Sequence, residues 1–176
     1  TAGAAVVSRT SDPEERRKMK LLLARSAFAA EDYDQCANWI RQLLSEPGLP
    51  SSTRAEAEKI HVAALYKGAG QAKDGQPLVA ASRYELLAST YPDHETAPAA
   101  LYNAAVLLRE AGEKARAVDL FQRVVHRYPQ NELARDATLA ATQIYQEAGD
   151  PHAATGMLER AAAGLSGPEA TEYLHE

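Results

Sequence analysis

"YPDHETAPAALYNAAVLLREAG" (residues 91–112) is followed 37 residues later by "YPQNELARDATLAATQIYQEAG" (residues 128–149). Nine of the 22 aligned positions are identical, and they include the opening Tyr-Pro and the closing Glu-Ala-Gly. Alanine matches are weak evidence for a repeat in an alanine-rich chain. The matches of Tyr-Pro and of Gly at a fixed offset are stronger evidence. A repeat period between about 20 and 50 residues is typical of solenoids and related arrays.

One period is predicted to contain two helices. The first carries small and apolar residues at helical spacing on one face: Leu101, Ala104, Ala105 and Leu108. The second repeats this spacing with Ala117, Leu120, Phe121, Val124 and Val125. Gly112 is a typical helix stop, and Pro129 cannot extend the second helix. Because the turn between the helices is short, the pair is predicted to form an antiparallel hairpin.

Small side chains explain how this hairpin closes. Ala105 and Ala117 are predicted on the facing sides of the two helices, where larger groups would hold the axes apart. Phe121 then fills the space beyond them.

At the other end of the chain, Asp12 before Pro13 predicts a capped helix start, with Glu15 completing a capping box.

The same pattern, less regular, predicts four helix pairs in all: residues 13–46, 52–92, 96–129 and 133–164. The segment "GAGQAKDG" (residues 68–75) is predicted to be a connector loop between the helices of the second pair. A terminal helix is predicted over residues 168–176. Because the chain begins with Thr1 and this last helix is short, we expect residues 1–176 to be a single domain cut from a longer protein.

The best repeat, Pro98–Asn131, resembles a tetratricopeptide repeat. The matching positions are Leu101, Ala104, Ala105 and Leu108 in the first helix, Ala117, Phe121 and Val124 in the second, and the closing Pro129. The resemblance implies an all-α, right-handed solenoid of about four hairpins with a C-terminal helix. It also implies a non-catalytic scaffold or adaptor that binds a protein or peptide partner.

In that family, the first helix of each pair lines a groove, and the resemblance carries this role onto eleven residues. They are Lys18, Arg25, Phe28, Ile60, Lys67, Tyr102, Val106, Arg109, Leu139, Gln143 and Gln146. Three of the four cations lie in the first two units, while Tyr102 and Val106 form an apolar middle. A peptide with an acidic end and an apolar anchor would fit this set. A solvated groove or an inner packing surface is the alternative.

Composition argues against several other classes of function. The formal net charge of −5 argues against general nucleic-acid binding, and no apolar run approaches the roughly 18 residues of a membrane span. Cys36, the single cysteine, is expected to be a small buried packing residue, and the five histidines are scattered, so we expect no metal and no cofactor. An enzyme on a helical-repeat scaffold remains the rival class.

The Tyr-Pro ending and the 37-residue spacing also resemble repeats of bacterial cell-envelope proteins. That resemblance implies a periplasmic module of a multiprotein envelope complex, which could itself oligomerise. The alternative is a cytoplasmic regulator that binds a peptide or a small GTPase in a signalling or motility pathway.

Overall fold

The computed structural model describes Val7 and residues 11–163. In this part of the chain every regular element is an α-helix, which confirms the all-α prediction. The helices are α1 (Pro13–Ala29), α2 (Tyr33–Leu44), α3 (Ser51–Ala72), α4 (Pro77–Thr90), α5 (Ala97–Glu110), α6 (Lys114–Arg127), α7 (Leu133–Glu147) and α8 (Pro151–Ala163). The terminal helix predicted over residues 168–176 lies outside the described residues.

The chain divides into two compact units, Thr1–Gln71 and Ala72–Glu176. The first unit contains the hairpin of α1 and α2, followed by α3. Asp12 caps α1 as predicted, since its Oδ1 accepts a hydrogen bond from the Glu14 amide at 2.9 Å. Buried apolar residues of all three helices form its core: Ala24, Cys36, Trp39, Ile40, Leu43, Ala57 and Ala64.

The predicted connector at residues 68–75 begins too early, because α3 continues to Ala72 and only residues 73–76 separate it from α4. Gly68 and Gly70, in the part of this stretch that is helical, disfavour a helix by about 1 kcal/mol each relative to alanine. However, Gly68 and Ala69 are buried. Burial of this last part of α3 therefore outweighs the weak helix propensity that led to the loop prediction.

The second unit is a series of helices in which each packs against the next, from α4 to α8. Contacts also join α5 to α7 and α6 to α8, as expected where successive hairpins stack. The interior matches the prediction from small residues: Ala105, Ala117 and Phe121 are all fully buried. Consecutive hairpins thus bury their apolar faces on one another.

Three hairpins of the two units turn in the same way. After α5, the Glu113 amide donates to the Leu108 carbonyl at 2.8 Å and Gly112 has φ +84°, as in a Schellman motif. Gly149 occupies the same position after α7, with φ +72°. After α1 the position is taken by Glu31, whose φ of +59° is unusual for a residue other than glycine.

The two Tyr-Pro connectors share a hydrogen-bonding pattern. His94 Nδ1 accepts from the Thr96 amide at 3.1 Å, and Asn131 Oδ1 accepts from the Leu133 amide at 3.0 Å in the next repeat. The connectors are also joined directly, because the Tyr128 hydroxyl donates to the Pro92 carbonyl at 2.6 Å. One copy of the repeated sequence therefore binds the copy before it through residues of the repeated Tyr-Pro pair.

Candidate partner-binding face

Six of the predicted groove residues lie on two neighbouring helices of the second unit. Tyr102, Val106 and Arg109 are spaced i, i+4, i+7 on α5, and Leu139, Gln143 and Gln146 have the same spacing on α7. The two helices are in contact, and each is the first helix of its hairpin. We call these six residues the α5–α7 face.

Electrostatic neighbours show how the two halves of this face align. Burial raises the pKa of the Tyr102 phenol, the charge of Asp136 on α7 raises it further, and the charge of Arg109 opposes the rise. Arg109 in turn helps to lower the pKa of Glu147 at the end of α7, where a hydrogen bond from Lys114 is the main cause. Both helices pack against α6 as successive antiparallel hairpin partners, so α5 and α7 run in the same direction, in line with these charge interactions near the starts and the ends of the two helices.

The apolar residues lie between these polar ends. Tyr102 and Val106 are half-buried, and Leu139 remains 39% exposed. The Tyr102 ring is held edge-on against the buried Phe121 ring, with centroids 5.6 Å apart. Such packing fixes the ring while leaving part of it accessible to a ligand.

The family comparison covers the hairpin that carries half of this face. The family model of the tetratricopeptide repeat matches residues 99–131, which include most of α5, the turn and all of α6. Residues 99–131 form a tetratricopeptide repeat. No curated protein gives a significant match to the chain.

This tetratricopeptide repeat is joined to its neighbours by ion pairs at a repeat-like spacing. Arg116 in its second helix pairs with Glu85 on α4 at 3.2 Å, and Lys114 pairs with Glu147 on α7 at 2.7 Å. Gln143 of the α5–α7 face donates to the same Glu147 at 3.2 Å. Exposed pairs of this kind contribute little stability individually. Of these pairs, Lys114–Glu147 lies beside the face, because Glu147 also accepts the hydrogen bond from Gln143.

The other five predicted groove residues lie in the first unit, where the cations already have partners. Lys18 pairs with Glu14 at 2.6 Å, and Arg25 pairs with Glu56. Lys67 lies 5.4 Å from the centre of the Phe28 ring, a cation–π contact. Ile60 is half-buried beside the core of this unit. The prediction of a peptide with an acidic end rested on these cations. Because each of them already has a partner in the first unit, the apolar middle of Tyr102 and Val106 is the stronger evidence for a binding surface.

Sequence reasoning missed Lys114 and Glu147, which border the α5–α7 face. Each lies at a helix end: Lys114 opens α6 and Glu147 closes α7. Their separation of 33 residues in sequence is close to one repeat, and that spacing was the available signal. Apart from this spacing, nothing in the sequence indicates that this exposed Lys and this exposed Glu form a pair, because the surface carries many charges of both signs.

The groups that could carry chemistry elsewhere are inert or dispersed. Cys36 is fully buried, and its burial, followed by the charge of Asp32, raises the thiol pKa to about 11, so the reactive thiolate is scarce at neutral pH. No three His, Cys, Asp or Glu side chains are grouped as metal ligands among residues 11–163. Across the helices that the structure describes, none has the length and apolar character needed to cross a membrane.

Proposed function

We propose that this chain is a non-catalytic scaffold that binds a protein partner on the α5–α7 face. The observation that supports this most is the apolar strip of Tyr102, Val106 and Leu139, left accessible on two parallel helices whose other sides are buried. Binding surfaces commonly combine an apolar centre with polar surroundings. The tetratricopeptide repeat at residues 99–131 supports the same class of function.

The partner should present one or two large apolar side chains flanked by polar groups. Arg109 at one end of the face and Asp136 near the other would orient such a segment through opposite charges. Amide groups of Gln143 and Gln146 can donate to or accept from its backbone. An extended peptide or one turn of a helix would satisfy these requirements.

The cellular setting we propose is a multiprotein complex of the bacterial cell envelope, on the basis of the Tyr-Pro connectors and the 37-residue spacing. A cytoplasmic regulator that binds a peptide or a small GTPase is the alternative. Fractionation of cells producing the epitope-tagged full-length protein separates the two. Recovery with the envelope supports the proposal, and recovery with the cytosol would overturn this part of it.

Quantitative affinity capture tests the binding face. The wild-type chain, Tyr102→Ala with Arg109→Ala, and Lys73→Ala would be immobilised at equal density and exposed to the same extract. Lys73 is an exposed connector residue and serves as the matched surface control. We expect a protein retained by the wild type and by Lys73→Ala to be depleted at least about tenfold on the double variant. Equal retention by all three would place the binding site elsewhere.

A further inference from the structure

A cleft of about 590 Å³ lies on a different side of the second unit, between α6 and α8. Its lining residues are Gln122, Val125, His126, Pro129, Met157, Arg160 and Ala163. A neighbouring cleft of about 710 Å³ continues it toward α4, because Gln122 and His126 line both. We call the two together the α6 cleft. The six residues of the α5–α7 face do not line it.

The floor of the α6 cleft is apolar and well packed. Val125 is 6% exposed and Met157 is 1% exposed, and Pro129 completes the wall. Gln122 is held in place because its Nε2 donates to the Tyr145 hydroxyl at 2.9 Å. The floor thus offers an apolar side chain a shaped surface that is already formed.

The rim of the α6 cleft is positively charged in a chain whose net charge is −5. Arg123 and Arg160 are exposed, and neither makes an ion pair with a residue of the described part of the chain. Arg127 also lines the cleft but is paired with Asp93 at 3.2 Å. One carboxylate, Asp119, is among the lining residues. Two arginines are therefore free to meet anionic groups.

We propose that the α6 cleft binds an acidic peptide segment of a second protein partner. Its carboxylates would pair with Arg160 and Arg123, and a large apolar side chain between them would pack on the cleft at Val125 and Pro129. Arginine suits this role because its guanidinium can donate two parallel hydrogen bonds to a carboxylate. Nucleic acid fits less well, since phosphate backbones are usually met by many cations, and here Asp119 opposes them. The scaffold would then hold two partners on separate surfaces.

Fluorescence anisotropy with a labelled peptide tests this directly. The probe is EESELYESE, and its matched control QQSQLYQSQ keeps the apolar pair but has no side-chain charge. We expect saturable binding of the acidic probe and at least about tenfold weaker binding of the control peptide. Arg160→Glu and Arg123→Glu should each weaken the acidic probe by about tenfold or more. Lys73→Glu makes the same change in charge at an exposed connector site and should leave the affinity within about twofold.

Five outcomes would overturn the proposal. Equal affinities for the two peptides would show that peptide charge does not contribute to binding. If Lys73→Glu weakened the acidic probe as much as the arginine variants do, the effect would come from the net charge of the chain and not from the cleft. Undiminished binding by both arginine variants would exclude the α6 cleft. A single-stranded oligonucleotide that displaces the probe at lower concentration would make nucleic acid the occupant. If sedimentation shows a wild-type dimer that Arg160→Glu dissociates, the occupant is a second copy of this chain. Circular dichroism confirms that each exposed-site variant stays folded.

Discussion

Glu31 occupies a backbone position that two other hairpins give to glycine, and replacing it should stabilise the protein. A left-handed conformation costs an ordinary L-residue about 1–2 kcal/mol. Glycine avoids this cost but loses about 0.5–1 kcal/mol more on folding, because its unfolded chain is freer. The Glu31 side chain is exposed and has no partner within the described residues. The net expectation for Glu31→Gly is a gain of about 0.5–1 kcal/mol in the free energy of unfolding.

The opposite substitution should have the opposite sign. Space is available at Gly112, since a Cβ there would meet nothing within 4 Å, so Gly112→Ala isolates the cost of its φ of +84°. We expect a loss of about 0.5–1 kcal/mol. Glu113→Gly is the matched control, because its φ of −79° is one that any residue adopts. It should not stabilise the chain.

Urea unfolding followed by circular dichroism measures all three variants. Stability changes should appear as shifts of the midpoint with an unchanged dependence on urea concentration. Glu31 and Gly112 lie in different units, so each variant is compared with the transition of its own unit if the two unfold separately. The reasoning is refuted if Glu31→Gly lowers its midpoint, or if Glu113→Gly raises stability as much as Glu31→Gly does.

Three further predictions concern packing, the connectors and pH. Ala105→Leu should overpack the buried hairpin contact and cost about 1–3 kcal/mol; a thermal unfolding curve identical to the wild type would contradict the placement. Tyr128→Phe removes the hydrogen bond to the Pro92 carbonyl and should cost about 1 kcal/mol in urea unfolding, whereas no loss would mean that the bond adds nothing. Burial, with the charge of Arg41 second, lowers the pKa of His61 to about 4. As pH falls, the unfolded chain protonates at His61 near pH 6.5, whereas the folded chain does so only near pH 4. About 3 kcal/mol of the free energy of unfolding that is present above pH 6.5 should therefore be lost between pH 6.5 and 4. His61→Leu should lack that part of the pH dependence, and a pH profile parallel to the wild type would refute the assignment.

The helical hairpins could be predicted from sequence because several independent signals agree on them. Gly112 and Gly149 mark turns that need a positive φ, and both have one. The small residues that face each other and the large Phe121 are buried as predicted. Glu31 could not be predicted, since nothing in a glutamate indicates a left-handed backbone. Closure of the hairpin by packing of α1 on α2 fixes that conformation.

The end of α3 illustrates the opposite case, in which local signals mislead. Gly68 and Gly70 have weak helix propensity, yet the helix continues through them, because Gly68 and Ala69 are buried. Burial at this point depends on the fold and is not visible in the local pattern. Helix ends placed by propensity alone fail where tertiary packing is strong.

Positions on the candidate face were easier to predict than the partners of its side chains. Helical spacing places Tyr102, Val106 and Arg109 on one side of α5, and α5 is in contact with α7, the helix that carries the other three residues. In the first unit, Lys18 and Arg25, which the family resemblance assigns to the groove, both lie on helix α1. Their ion pairs with glutamates depend on the rotamers of long exposed side chains. Sequence therefore predicts which helices carry these residues better than it predicts the charge available on them.

Titration calorimetry with the captured partner tests directly whether the α5–α7 face binds a protein. The quantity to compare is the dissociation constant of the wild-type chain with that of Tyr102→Ala combined with Arg109→Ala, both shown to be folded. We predict binding at least about tenfold weaker in the double variant, which corresponds to about 1.4 kcal/mol. Equal dissociation constants would contradict the account.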